Sequence, residues 1–306
     1  MRQARTREQL WSQIRSWRAA GKRIALVPTM GNLHDGHLAL VEAARRHADR
    51  VITSIYVNPT QFAAGEDLAR YPRTPEDDLR RLRAAHCDLA FLPDDGAIYP
   101  FGLDGATQLR AAPALAGILE GAFRPGHFDG VVTVVARLLN LCSPDLAVFG
   151  EKDYQQLLVV RRMVEDLGYP LRILPVPTVR ERGGLALSSR NRFLDESERG
   201  AAMGLSVVLR DAAGQVGQGD ADYHGVEREA VERLQREGLR VDYVAVRRAL
   251  DLDEPDRGDR DLRVLAAAWC GQTRLIDNCP ATAPDLTVQA TTRPTSRPTT
   301  RPTRRA

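Results

Sequence analysis

Val27-Pro28-Thr29-Met30-Gly31-Asn32-Leu33-His34-Asp35-Gly36-His37 is the stretch whose reading decides the fold. Before it, Arg23-Ile24-Ala25-Leu26-Val27 is a short apolar run that reads as a buried strand. After it, Leu38, Leu40, Val41, Ala44 and Ala48 recur at helical spacing. Pro28, Gly31 and Gly36 break the backbone between the two. The unit is strand, glycine-bearing loop and helix N-terminus, which aims backbone N–H groups and a helix dipole at an anion. His34 and His37 are three residues apart and share a face at the helix start. The dipole disfavours protonating them, which keeps both near the titrating range as hydrogen-bond donors. Such a pair can stabilise charge that develops on a phosphate during transfer. The plainer alternative is one capping histidine and one surface histidine. Gly36 leaves room for a flat or bulky group against the backbone.

Working outward, Leu10, Trp11, Ile14 and Trp17 mark an amphipathic helix ending near Gly21. Residues 50–57 and 88–92 read as strands, with a helix opened by Thr74-Pro75-Glu76-Asp77-Asp78 between them. A short helix spans 115–119, and residues 131–141 form an almost wholly apolar, hence central, helix. Strands follow at 146–149 and 171–176. Strand–helix–strand alternation on this spacing predicts right-handed βαβ units and a parallel, Rossmann-like α/β sheet over residues 1–178. In such sheets ligands bind beyond the carboxyl ends of the strands. Four polar segments fall there: residues 29–37, 58–61, 150–156 and 178–190. Their convergence on one crevice is the strongest inference the residues support by themselves.

Beyond Arg190 the pattern changes. Helical stretches at 203–209 and 226–234 are separated by Gly214, Gly217 and Gly219. Strands at 241–246, 262–268 and 273–276 follow, with a polar hairpin around Pro255 and Gly258. These predict a smaller mixed α+β lid domain over 179–283, placed to close over the crevice. Residues 284–306 carry Arg-Pro-Thr at Arg293, Arg297 and Arg301 and almost nothing to bury, so a disordered tail is expected.

The formal charge of +3 misleads. The last sixteen residues hold five arginines and no acid; removing those five from 43 basic residues leaves 38 against 40 acidic, a net of −2. The folded body is therefore not a general nucleic-acid binder on charge grounds. No apolar stretch is long enough for a membrane span, and the amino terminus runs into the first helix rather than a signal sequence. Cys87, Cys142, Cys270 and Cys279 form no Cys-x-x-Cys pair and read as reduced, mostly buried thiols. A bacterial-type cytoplasmic enzyme is the default expectation.

Five motifs, in register along the chain, resemble the pantoate–β-alanine ligase family. They are Pro28 to His37 as quoted, Asn58-Pro59-Thr60-Gln61-Phe62, Tyr71-Pro72-Arg73-Thr74, Phe149-Gly150-Glu151-Lys152-Asp153-Tyr154-Gln155-Gln156 and Leu187-Ser188-Ser189-Arg190-Asn191. The resemblance covers all but the tail and extends to Thr273-Arg274-Leu275-Ile276-Asp277-Asn278. It implies an ATP- and Mg2+-dependent cytoplasmic homodimer that joins (R)-pantoate to β-alanine through pantoyl adenylate, releasing AMP and pyrophosphate. His34, His37 and Lys152 are then the catalytic group. Met30, Gly31, Asn32, Leu33, Asp35, Gly36, Gly150, Glu151, Asp153, Val179, Leu187, Ser188, Ser189 and Arg190 complete the nucleotide site. Gln61 and Gln156 hold pantoate by hydrogen bonds without adding repulsive charge. Asp77 either helps hold magnesium or caps its helix; His127 lines the pantoate pocket or only orients its loop.

Carboxylate attack on a phosphate brings two anions together, so the family's cations and donors fit the chemistry. One departure is Arg180-Glu181-Arg182-Gly183-Gly184, whose extra glycine is expected to loosen the turn before Ser188. A tRNA synthetase shares the histidine signature, but this body is slightly acidic and lacks an added tRNA-binding region. A non-catalytic RNA binder using the arginine tail does not explain His34, His37, Lys152 and Ser188 together.

Overall fold

The computed structural model describes residues 1–62, 66–219, 222–256 and 258–284. The tail expected to be disordered lies, but for Pro284, outside the described residues.

A six-stranded sheet, all parallel, runs in the order β1-β4-β3-β2-β5-β6. Its strands are β1 Arg2–Ala4, β2 Ile24–Thr29, β3 Arg50–Ile55, β4 Leu89–Phe91, β5 Leu146–Gly150 and β6 Arg172–Val176. Helices α1 Arg7–Ala19, α2 Asp35–His47, α3 Pro75–Ala84, α7 His127–Cys142 and α8 Tyr154–Asp166 cover it; α4 Asp95–Ile98, α5 Pro113–Ala116 and α6 Glu120–Phe123 are single turns. The strand order reverses direction between β2 and β5, so the topological switch point lies at their carboxyl ends.

β2 is apolar from Ile24 to Pro28 because both its faces are buried. Alternation sends Ile24 and Leu26 into the core built on α1, α7 and α8. It sends Ala25 and Val27 into a second core with α2 and α3. The single expected helix at 115–119 is instead two turns, broken at Leu119 with φ of +46°. β1 was not anticipated. It is three residues long and pairs only with β4 at the sheet edge, too short for an alternation signal.

The remainder is a three-stranded sheet, β7 Arg240–Arg248, β8 Asp261–Cys270 and β9 Thr273–Thr282. It is wholly antiparallel, and with two helices it makes the expected α+β unit. α9 Glu196–Gly217 and α10 Tyr223–Arg236 pack on it through a third core. α9 runs 22 residues, through Gly200, Gly204 and Gly214, because an Asp195–Glu198 capping box starts it and Ala202, Leu205, Leu209, Ala212 and Val216 bury one continuous stripe. Among the described residues no helix is long and apolar enough to cross a membrane. The four cysteines are unpaired, with Cys87, Cys142 and Cys270 buried.

Candidate active site

The loop after β2 is held from beneath by an acid the sequence reading passed over. Asp78 on α3 is buried, and its carboxylate accepts the backbone N–H groups of Asn32 at 3.0 Å and Leu33 at 2.7 Å, with Thr74 Oγ1 at 3.2 Å. Burial nonetheless pushes its pKa up, ahead of those hydrogen bonds. Its neighbour Asp77 does not line the cleft; that carboxylate takes Arg80 and Arg81 from its own helix. The two acids are adjacent on a helix and point about 100° apart, and only one faces the loop.

His34 precedes α2 and His37 lies in its first turn, with ring centroids 4.1 Å apart. The His34 N–H donates to His37 Nδ1 at 3.3 Å, so the proton of neutral His37 resides on Nε2. A Cβ on Gly36 would lie 2.9 Å from the His34 ring, so the flat group that this glycine admits is the neighbouring imidazole itself. Burial, then the charge of Lys152, pushes the pKa of His34 down to about 4. Burial, then His34, drives that of His37 well below its ordinary value. Both are neutral donors at pH 7 rather than groups near their titration point, because desolvation adds to the dipole. Buried His34 Nδ1 has no protein partner, an open hydrogen-bonding valence in the cleft.

Lys152 sits in the turn Glu151–Asp153 that leads from β5 into α8, and its ammonium is 3.5 Å from Asp153. Gln156 faces the cleft, whereas Gln155 turns away to bind Glu120 N–H and the carbonyls of Leu115 and Ile118. Beyond β3, Gln61 accepts Asn58 Nδ2 at 3.2 Å. Asn58 also receives Tyr99 OH at 2.8 Å and donates to the Gly130 carbonyl, which fixes the amide. His127 Nδ1 donates to the Gln61 carbonyl at 2.8 Å, leaving Nε2 to accept from Arg124 at 3.1 Å. Burial, then Arg124, pushes His127 down to about 4. From the other side, Ser189 Oγ donates to the Asn32 carbonyl at 3.3 Å, which lays residues 188–190 beside the histidine loop.

One cleft of about 230 Å³ at the switch point is therefore lined by Met30, His34, Gly36, His37, Gln61, Gly150, Lys152, Asp153, Gln156, Val179, Leu187, Ser188, Ser189 and Arg190. It adjoins an outer chamber of about 880 Å³, and Arg124, Lys152, Ser188 and Arg190 line both. Gly31, Asn32, Leu33, Asp35 and Glu151 do not line this cleft. The Asn32 and Leu33 amides belong to Asp78, Asp35 faces Arg81, and Glu151 pairs with Arg263. A Cβ on Gly183 would fall 1.9 Å from Met203 Sδ, so the glycine lets the turn pack tightly on α9.

Tyr71 and Arg124 also stand at the wall without having been singled out, beside Asn58 of the expected segment 58–61. Tyr71 lies inside a quoted motif, but a tyrosine that is mostly buried carries no polar signature in sequence. Two flanking acids were also missed: Glu66 pairs with Arg124 at 2.7 Å and Asp67 with Arg190 at 2.8 Å. Burial works against both carboxylates, but the arginines outweigh it and both pKa values fall.

The family profile described as Pantoate-beta-alanine ligase matches residues 2–280. The chain is 52% identical over 284 residues to the pantothenate synthetase of Thioalkalivibrio sulfidiphilus, covering 93% of this chain and 99% of that one. It is 52% identical over 273 residues to that of Methylococcus capsulatus, covering 89% and 95%. The crystal structure of the Thermus thermophilus pantothenate synthetase superposes with a TM-score of 0.84 at 45% identity, covering 91% and 99%. The pantoate–β-alanine ligase of Francisella tularensis, complexed with beta-gamma ATP and β-alanine, superposes with a TM-score of 0.78 at 33% identity, covering 92% and 97%.

Proposed function

The chain belongs to the pantoate–β-alanine ligase family, and from that premise we propose how its cleft joins (R)-pantoate to β-alanine with ATP. The observation that carries the reading is the meeting of Lys152, the two neutral histidines, both glutamines and residues 188–190 on one wall at the switch point. The strand–loop–helix starting at His34 presents donors to the α- and β-phosphates, and Lys152 supplies a compact positive charge for the same group. Ser188, Ser189 and Arg190 hold the β and γ groups, and Val179 offers its backbone to the adenine. Gln61 and Gln156 take pantoate's hydroxyl and carboxylate as uncharged partners, so that carboxylate is not repelled as it approaches phosphorus.

The carboxylate oxygen bonds to the α-phosphorus, the α–β bridge breaks, and pyrophosphate leaves. The amine of β-alanine then attacks the acyl carbon, and AMP departs. Neutral imidazoles donate to charge that grows on the phosphoryl oxygens, which is where differential stabilisation speeds the step. A magnesium ion would take most of its ligands from phosphate oxygens, and of the cleft-lining carboxylates Asp153 would complete its shell; the ion would neutralise the leaving pyrophosphate. The segment 179–283 acts as the lid. Four unpaired cysteines suit a cytoplasmic enzyme, and exposed Phe101 and Leu250, each 84% accessible, offer contacts for a homodimer.

Pantoate carrying heavy oxygen in its carboxylate tests the route. One label should pass to AMP and none to pyrophosphate or phosphate. Labelled pyrophosphate should exchange into ATP with pantoate present and β-alanine absent. ADP with labelled inorganic phosphate would instead establish an acyl phosphate and overturn the proposal.

A further inference from the structure

One corner of the small sheet grips both sides of the cleft. Asn278 on β9 is buried, and its two amide hydrogens go to the carbonyls of Glu151 and Lys152, each at 2.9 Å. Its Oδ1 accepts Arg263 Nη1 at 2.7 Å, and Arg263 continues to the Glu151 carboxylate at 3.2 Å. Both amide hydrogens and one lone pair of the oxygen are thus committed to the turn that carries Lys152 or to the arginine that braces it. The adjacent residue, Asp277, holds Arg180 through two bonds of 2.6 and 2.9 Å. Arg180 also donates to the carbonyls of Gly184 and Asn278, at 3.0 and 3.2 Å, closing the loop that delivers Leu187 and Ser188 to the cleft. Neighbouring residues of a strand face opposite ways, which lets two consecutive side chains reach two different loops.

We propose that Asp277 and Asn278 are positioning residues: together they set the Lys152 turn and the 180–190 loop in one frame, so that the two phosphate-binding sides of the cleft are registered to each other by the small sheet. The proposal rests on the roles given above to Lys152 and to residues 188–190. Neither Asp277 nor Asn278 touches a reacting atom by this account. Asn278 acts on the chemical step through Lys152, and Asp277 acts on nucleotide binding through Arg180 and the loop.

Asn278→Asp isolates the first role. The shape is kept and the pairing with Arg263 survives, but an oxygen now faces two carbonyls at donor distance and pushes the turn away. Displacements of this kind, near 1 Å, cost on the order of 100-fold in rate. Single-turnover adenylate formation should therefore slow about 10–100-fold, with the ATP dissociation constant changed less than about threefold. Asp277→Asn should show the reverse split, weaker ATP binding with a rate at saturation close to that of the unaltered enzyme.

A double-mutant cycle with Lys152→Ala separates positioning from general damage. Once the ammonium is gone, Asn278→Asp should cost almost nothing further. Full additivity of the two losses would overturn the proposal, as would an unslowed Asn278→Asp in a background where Lys152→Ala is slow. If Asn278→Asp does not fold, Asn278→Ser, which keeps one donor, carries the same cycle with a smaller expected loss. Should Lys152→Ala itself leave adenylate formation unslowed, the reading of Lys152 fails first, an outcome distinct from failure of the clamp.

Discussion

His37 Nδ1 is occupied by the His34 N–H, so only its protonated Nε2 remains to donate. That single donor and the Lys152 charge are aimed at a group whose charge grows during reaction. His37→Ala and Lys152→Ala should each slow adenylate formation by about 2.7–4 kcal/mol of barrier, by analogy with oxyanion-hole donors, while ATP binding changes little. Rapid-quench single turnovers set against equilibrium titration with ATP give the two numbers; equal losses in both would assign these side chains to ground-state binding. The buried imidazoles also make stability depend on pH. His34 and His127 are pushed to about 4, below an unfolded value near 6.5. Between those limits the unfolded chain binds more protons, so unfolding free energy rises with pH through that window. The contribution is complete above pH 6.5 and is lost as pH falls toward 4, on the order of 3 kcal/mol for a group such as His127. His127→Gln removes one of these titrations. Its urea midpoint should fall less steeply than that of the unaltered protein between pH 6.5 and 4.5, and parallel curves would contradict a neutral buried imidazole.

At the scale of elements, the turn Asp67–Arg70 faces the turn Ser189–Phe193 across the outer chamber, joined by Asp67 and Arg190 at 2.8 Å. Asp67 thus occupies the guanidinium that the proposed reading assigns to a phosphate. Removing one partner of a half-buried pair leaves the other charge uncompensated. Asp67→Asn should therefore destabilise the free enzyme, lower its melting temperature and tighten ATP binding several-fold, since the triphosphate now relieves an unpaired arginine. Weaker binding in calorimetric titration would mean that Asp67 stays with Arg190 in the complex. This acid had no motif around it, and it lies close to Arg190 only through the fold. The elements themselves were readable because each βαβ unit is periodic and punctuated: β2, α2, β3 and α7 all fall where apolar spacing puts them. What escaped was decided by tertiary contact. Asp78 rather than Asp77 faces the histidine loop, and Asn278 finds two carbonyls 126 and 127 residues away.

At the scale of the whole molecule, a boundary near residue 178 separates two chain segments and two sheets, but the packing crosses it. β7 and β8 turn Val244, Val246 and Val264 toward α9 and α10. From the same strands, Ala245 and Leu265, with Leu252 from the connection between them, enter the core of the parallel sheet. The Tyr154 hydroxyl donates to the Ala249 carbonyl at 2.8 Å, and the Arg263 guanidinium lies 3.8 Å from the centre of the Tyr154 ring. If this segment acts as the proposed lid, closure should be a small adjustment about the shared core and not the swing of an independent body. Residues 1–178 alone would leave the face around Tyr154 without its cover. Unfolding of the whole protein should accordingly be one cooperative event, with calorimetric and van't Hoff enthalpies in agreement. Saturating ATP should raise that single transition without splitting it, because a ligand gripped from both segments stabilises them together. Two resolved heat-absorption peaks, only one of which moves with ATP, would show instead that the segments fold independently and that the small sheet contributes little to the cleft.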